Sequence, residues 1–402
     1  MKEIVVLGGG FAGVSACLYL IKRIKGDKNA NITLIDKNSY HLFKPSLYEV
    51  ATSEEPKKNI AIPFSEIFGT KIRFVKGEVL SIDYESNLIR FDNSLNYSYD
   101  YLIIALGSVS SDFNTPGIKE YSLPLCRLED AVRIKKEIES AYHKKVHQAK
   151  EINIIVGGGG FSGTELTAEL INYKNRLSKH HKTSSDLIKI TIIQGSERLL
   201  KELDEKVSKL AKERLEEGNV NIVLNTHITK VNKDYIETET QKKYPYDVFI
   251  WAGGVKVSEI LENSGFKVNG RGQVAVDQNM QVVSHPNIFA AGDIAEFADP
   301  VTNKPVPGVA QVSEDEGKAA SENVYRSLNG QELLSYKYFH AGYIVPLKGK
   351  FAVADFNKFR IIGFFGWVLQ QFVFLYYLLK ILPFSKALKR WNKFEMYLIE
   401  NS

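Results

Sequence analysis

Apolar positions along this chain come in two rhythms that alternate. "EIVVL" (3–7), "ITLID" (32–36), "INIIV" (152–156) and "IKITII" (188–193) are short, β-branched and almost wholly apolar, the pattern of strands buried on both faces of a parallel sheet. The first is followed by "FAGVSACLYLIKRI" (11–24), whose apolar residues recur at helical spacing, and the third by "FSGTELTAELI" (161–171), which opens a second helix. Strand, helix, strand is thus written twice, which predicts an α/β chain with two parallel-sheet units.

Glycines stand at both strand-to-helix turns. Gly8-x-Gly10-x-x-Gly13 lies in "VLGGGFAG" and Gly158-x-Gly160-x-x-Gly163 in "VGGGGFSG", about 150 residues later. In such a turn the first glycine permits the tight bend and the second lets the backbone approach a pyrophosphate. The third lets helix and sheet pack closely, with helix N–H groups aimed at the anion. The strand after the first loop ends in Asp36, where a carboxylate can accept the hydroxyl hydrogens of an adenosine ribose.

The strand after the second loop ends in Gln194, so this site lacks the carboxylate that would repel the 2′-phosphate of NADPH. Arg198 stands four residues on as a phosphate partner, with Glu197 beside it arguing the other way. Weakened NADH selectivity and an unchanged preference both fit these residues. Glu165 falls in the first turn of the second helix, where the dipole favours an anion for structural or functional reasons.

Composition adds limits. The chain has 402 residues, 44% hydrophobic and 25% charged, ordinary values for a globular protein of two or three domains. From Lys380 onward five basic and two acidic residues give +3 of the total net charge of +5, leaving +2 for everything before. A basic tail on a nearly neutral body argues against a nucleic-acid partner. Cys17 and Cys126 form no CxxC and stand in no Cys/His cluster, which excludes a disulfide framework and offers no metal signature. Cys17 falls on the first helix as a core residue, and His180-His181 read as part of a surface loop or helix end. The strand starts at once, with no visible secretory leader, so the cytoplasmic side is the expected location.

Residues 361–379, "IIGFFGWVLQQFVFLYYLL", run nineteen positions without a charge. Gln370-Gln371 interrupt the run, and "FSKALKRWNKF" (384–394) then mixes apolar and basic residues at helical spacing. Trp367, Trp391 and Tyr376-Tyr377 suit a headgroup boundary. An interfacial anchor over 361–394 is the leading reading. A buried dimer interface and a true span stand behind it.

The order of these motifs resembles that of the FAD-dependent pyridine-nucleotide oxidoreductases, and within them the type II NADH dehydrogenases, single-subunit NADH:quinone oxidoreductases. "LIDKNSYHLFKPSLYEVAT" (34–52), "YDYLIIALGS" (99–108), "DVFIWAGGV" (247–255) and "NIFAAGDIAEF" (287–297) carry the resemblance over nearly the whole chain. It implies two Rossmann-like dinucleotide-binding domains and a C-terminal membrane-associating helical tail. FAD would lie on Gly8, Gly10, Phe11, Ala12, Gly13, Asp36, Lys37, Lys44, Val79, Ala105, Gly107, Gly292, Asp293, Ala310 and Gln311. NADH (or NADPH) would lie on Gly158, Gly160, Phe161, Ser162, Gly163, Glu165, Gln194, Gly253 and Gly254. The resemblance further implies that the nicotinamide meets the flavin, that Glu165 orients it or relays a proton, and that Gln311 stands between flavin and quinone. It also implies a homodimer, peripheral on the cell membrane, in the respiratory chain.

The chain departs from the family at one motif. Ala-Gln-x-Ala-x-Gln-Gln-Gly is here "AQVSEDEG" (310–317), so Ser313 replaces an alanine and Asp315 and Glu316 replace paired glutamines. The two carboxylates either alter the quinone side and take up protons there, or face solvent on the helix. The expected organisation is an FAD domain of 1–112 and 272–335, an inserted NAD(P)H domain of 113–271 and a tail of 336–402. A sulfide:quinone oxidoreductase, which works through cysteines beside the flavin, another FAD enzyme with a non-quinone acceptor, and a non-catalytic flavin-binding redox sensor are the alternatives.

Overall fold

The computed structural model describes residues 1–26, 29–52, 57–92, 95–339, 341–356 and 359–401, and side chains at 57–58 and 394–401 lie outside that description. Internal packing divides the chain into two units. One comprises Met1–Leu42, Ala61–Val109 and Lys256–His340, the other Phe43–Ile60, Ser110–Val255 and Ala341–Ser402.

In the first unit a five-stranded parallel sheet runs Ile288–Ala290, Tyr101–Ile104, Lys2–Leu7, Ala30–Asp36, Arg73–Lys76 in spatial order. Ile4 to Leu7 and Leu102 to Ile104 are fully buried, which is why these strands read as unbroken apolar runs. Helix Phe11–Arg23 follows the first strand, and helix Ala310–Leu328 packs along it. The two helices come close because residue 317 is glycine: a Cβ there would lie 2.2 Å from the Ala12 carbonyl oxygen. At the far end Glu322 takes Arg23 (2.6 Å) and Arg326 (2.8 Å).

The second unit repeats the plan with the order Leu123–Pro124, Val248–Trp251, Ile152–Gly157, Ile188–Ile193, Val220–Val223, again all parallel. Each unit also carries three antiparallel strands, Val79–Asp83, Leu88–Phe91 and Asn96–Ser98 in the first and Ile228–Val231, Tyr235–Thr238 and Lys243–Pro245 in the second.

The tail packs as part of the second unit. Strands Tyr343–Pro346, Ala352–Asp355 and Arg360–Gly363 form an antiparallel sheet whose Val345, Leu347 and Val353 share a core with Leu200, Leu203, Val207 and Ala211. Arg360 closes the edge with Asp204 at 3.0 Å and Asp355 at 2.9 Å. Helix Phe364–Ile381 lies on this sheet, and Gly366 permits the approach, since a Cβ would come within 2.4 Å of the Ala352 carbonyl oxygen. Helix Phe384–Asn401 packs back on it through Trp391, which stacks on Phe372 and donates to the Gln371 carbonyl.

Candidate functional site

Both glycine loops fold into the same cradle. Gly8 has φ +97° and Gly158 φ +106°, left-handed conformations that a side chain rarely tolerates. A Cβ would collide with Ala105 O (2.3 Å) at Gly8 and with Ala252 O (2.5 Å) at Gly158. Gly13 and Gly163 sit against the carbonyls of Gly8 and Gly158, where a Cβ would fall at 1.8 and 1.9 Å. Gly10 and Gly160 face open space, with no atom within 4 Å of where a Cβ would stand. They are also the N-caps of the two helices, and neither helix start receives a side-chain cap. Free first-turn N–H groups beside open space are what a pyrophosphate requires, so both sites fit a dinucleotide.

The rim residue differs between the two. Asp36 Oδ2 accepts the Gly9 N–H at 2.6 Å and Oδ1 the Asn38 N–H at 2.6 Å. Burial lifts its pKa, and these N–H groups partly offset the rise. Gln194 Oε1 accepts the Gly159 N–H at 2.8 Å, and its Nε2 donates to Ser196 at 2.6 Å. The amide therefore does the loop-holding work of the aspartate without its charge. Arg198 does not reach out toward a phosphate: its guanidinium donates to the carbonyls of Leu203 (2.7 Å) and Lys201 (2.8 Å) and to Ser208 (2.7 Å). That corrects its reading as a 2′-phosphate partner, because both terminal nitrogens of the guanidinium are engaged in closing the 198–208 turn.

The remaining first-unit residues gather around the loop. Phe11 meets buried His41 edge-on at 5.0 Å, and His41 Nδ1 contacts the Gly9 carbonyl oxygen at 2.9 Å. Val79 and Ala105 are buried, and Gly107 is left-handed at φ +67°. Lys37 pairs with Glu78 (3.4 Å) at the surface. Asp293, in the short turn Gly292–Ile294, accepts from Ser108 Oγ at 2.5 Å. Ala310 and Gln311 open helix Ala310–Leu328. Asp315 pairs with Lys318 at 2.9 Å, half-exposed. Glu316 differs from it: it is 4% exposed and accepts the Gly292 N–H at 2.7 Å. The alternative in which both carboxylates face solvent holds for Asp315 and fails for Glu316. His41, Ser108 and the inward turn of Glu316 carried no sequence signal beyond proximity to the motifs.

In the second unit Phe161 meets Tyr343 at a tilt, with ring centroids 5.3 Å apart, and Ser162 is exposed. Gly253 and Gly254 are pressed against Trp251 and Phe113, and Trp251 Nε1 donates to Ser111 O at 2.6 Å. Lys44 belongs to this unit, exposed on the turn Lys44–Ser46. Glu165 has no hydrogen-bond partner among the described residues. Its side chain is half-exposed by surface area, yet the protein packed around it pushes its pKa up to about 8. Buried Tyr48, on helix Leu47–Thr52, feels the charges of Glu165 and Glu169, donates to Glu49 (3.0 Å) and accepts from Gln370 Nε2 (3.1 Å). The glutamines that interrupt the apolar run thus face inward: Gln370 to Tyr48, and Gln371 into the packing, 6% exposed. Tyr48 was missed; a glutamine pair inside an apolar helix was the signal that something polar waited for it.

Two cradles of one construction define a two-dinucleotide oxidoreductase. The family model for pyridine nucleotide-disulphide oxidoreductases matches residues 2–317, and the chain belongs to that family. It is similar to the type II NADH:quinone oxidoreductase of Haemophilus influenzae, 29% identical over 393 residues covering 89% of this chain and 88% of the relative. It is also similar to that of Staphylococcus aureus, 28% identical over 86% of this chain and 87% of the relative. Among solved structures, NDH2 from Plasmodium falciparum in complex with NADH superposes with a TM-score of 0.86 at 20% identity, over 99% of this chain and 98% of that one. The sulfide:quinone oxidoreductase of Aquifex aeolicus gives 0.79 at 19% identity, over 95% and 91%.

Proposed function

We propose that this chain is a type II NADH:quinone oxidoreductase, passing two electrons from NADH through FAD to a membrane quinone without pumping protons. The duplicated cradle carries the reading. One copy has a carboxylate rim and the other a neutral one, which suits two different dinucleotides bound by one chain. FAD held in the first cradle would supply the hydride-accepting and electron-passing chemistry. Gly8, Gly10 and Gly13 make room for its pyrophosphate and Asp36 for its ribose, with Asp293 and Gln311 beside the rest of the cofactor. Gly158, Gly160, Gly163 and Gln194 hold NADH.

Glu165 is the catalytic candidate of the second unit, since a carboxyl titrating near pH 8 can hold or release a proton under working conditions. Cys17 is fully buried on helix Phe11–Arg23, and burial pushes its thiol pKa far up, which supports no sulfur relay. Helix Phe364–Ile381 is long and apolar enough to cross a membrane, but one face is engaged by protein through Phe374, Tyr377 and Gln371. Phe365 (74% exposed), Phe372 and Tyr376 stand on its outward side. A peripheral anchor on the lipid surface follows, cytoplasmic by resemblance, and the homodimer is held on the same footing.

Anaerobic stopped-flow at the flavin band tests the function. NADH is expected to bleach the flavin rapidly and a short-chain quinone to restore it. Bleaching without reoxidation overturns the quinone acceptor, and no bleaching by NADH or NADPH leaves only a flavin-binding redox protein.

A further inference from the structure

Glu316 stands where the family carries a neutral glutamine, and the fold has turned it inward. Its Oε2 accepts the backbone N–H of Gly292 at 2.7 Å, so it holds the turn that presents Asp293. The charged groups facing it can be named element by element. The Gly292–Ile294 turn contributes Asp293, which is acidic. Its own helix contributes Asp315, and the one nearby cation there, Lys318, is taken by Asp315. The segment after that helix contributes Tyr336, whose phenol is pushed up by burial first and then by Glu316 and Asp315. The first turn of helix Phe11–Arg23, packed on residue 317, holds no charge. Among the described residues no lysine, arginine or histidine pairs with Glu316.

A buried carboxylate next to a second one, with no cation, is strongly disfavoured over its protonated form. As a neutral acid it offers the acceptor that a glutamine would, and it can also exchange a proton.

We propose that Glu316 is a proton-exchanging positioning residue of the flavin side of the site, binding one solvent proton in step with the negative charge that reduction places on the flavin. This rests on the reading of the first cradle as the FAD site. The electron pair comes from NADH, carried by its hydride; at Glu316 one O–H bond forms from the carboxylate and a solvent proton, and no other bond changes there.

The sign follows from linkage. Burial first, then the neighbouring Asp293 and Asp315, push the Glu316 carboxyl up to about 8. Negative charge on a bound flavin raises it further, so extra proton uptake on reduction is confined to a window starting near pH 8.

The test is a spectroelectrochemical titration of the flavin midpoint potential in the purified holoenzyme from pH 6 to 9.5, with E316Q, which keeps the acceptor for Gly292, and E165Q alongside. E165Q is needed because Glu165 titrates in the same range. In wild type the potential is expected to fall more steeply with pH above about 8 than below, as up to about one further proton is bound per reduction. The steep segment should survive in E165Q and vanish in E316Q. Parallel wild-type and E316Q lines, or a steep segment lost in E165Q and kept in E316Q, overturn the inference. If E316Q does not retain flavin, E316D in the E165Q background must move the onset pH, and an unmoved onset overturns it. A holoenzyme that carries no flavin at all sinks the underlying reading instead, which is a distinguishable result.

Discussion

Asp36 and Gln194 occupy the same place on their loops and accept the same bond, from the N–H of Gly9 and of Gly159, and they differ by one charge. Restoring that charge is the direct probe of nucleotide choice. Q194D is expected to lower kcat/KM for NADPH about tenfold or more while sparing NADH, corresponding to ~1.4 kcal/mol or more of repulsion against the 2′-phosphate. R198A should leave the NADH/NADPH ratio unmoved and lower the Tm, because Arg198 serves its own turn.

A second residue-scale prediction concerns Glu316 and pH. The folded pKa of about 8 lies above the ordinary 4.5, so between these values the folded chain binds more protons than the unfolded one. Its share of stability is therefore present at low pH and lost as pH rises through the window. E316Q lacks this loss. The Tm difference, variant minus wild type, should grow from pH 5 to pH 8 in thermal scans; a flat difference would show that Glu316 ionises freely. Asp36 and the two glycine triplets were legible as residues because their chemistry is local. Glu316 was legible only as a departure from a motif, since a helix in sequence does not say which of two adjacent carboxylates points inward.

At the scale of elements, each cradle is a strand, a turn and a helix whose geometry is dictated by where a Cβ cannot go. G163A places a methyl 1.9 Å from the Gly158 carbonyl oxygen, and G13A does the same at the other loop. Each should destabilise its unit by on the order of 3 kcal/mol, the upper range for overpacking a tight contact. G163A is expected to abolish NADH-driven bleaching while flavin stays bound, which a flavin spectrum and stopped-flow together would show. G366A tests the tail in the same way, since its methyl would meet the Ala352 carbonyl oxygen and lift helix Phe364–Ile381 from its sheet. A drop of about 1–3 kcal/mol in denaturant unfolding is expected. The strand and helix rhythm announced two adjacent central strands of each sheet, Lys2–Leu7 with Ala30–Asp36 and Ile152–Gly157 with Ile188–Ile193, because burial on both faces demands apolar runs. The stretch 336–356 reads as short strands, and Tyr343–Pro346 and Ala352–Asp355 lie there; that they share a core with Leu200 and Val207 was not legible.

For the whole molecule, the proposed lipid anchor is the feature to test. Phe365 and Phe372 are exposed on a helix whose other face is engaged, and Lys380, Lys386, Lys389, Arg390 and Lys393 follow. Anionic vesicles should bind the wild type in a salt-sensitive way. F365E/F372E should weaken co-sedimentation at least about tenfold, by loss of buried apolar area, and leave bleaching by NADH intact. Unchanged binding would return that face to a dimer interface, which sedimentation of the free enzyme would then report.

The sequence by itself determined the α/β class, the doubling of the dinucleotide cradle, the carboxylate at one rim and its absence at the other. Each depends on residues within one turn of a strand end, where conformational preference and hydrogen-bonding capacity are properties of the residue itself. Only the tertiary structure decided that Arg198 is committed to its own turn, that the tail sheet shares a core with the second unit, that Gln370 reaches Tyr48 and that Glu316 is buried against Gly292. Those outcomes follow from packing between segments far apart in the chain. Such packing chooses which polar groups lose water and which partners replace it.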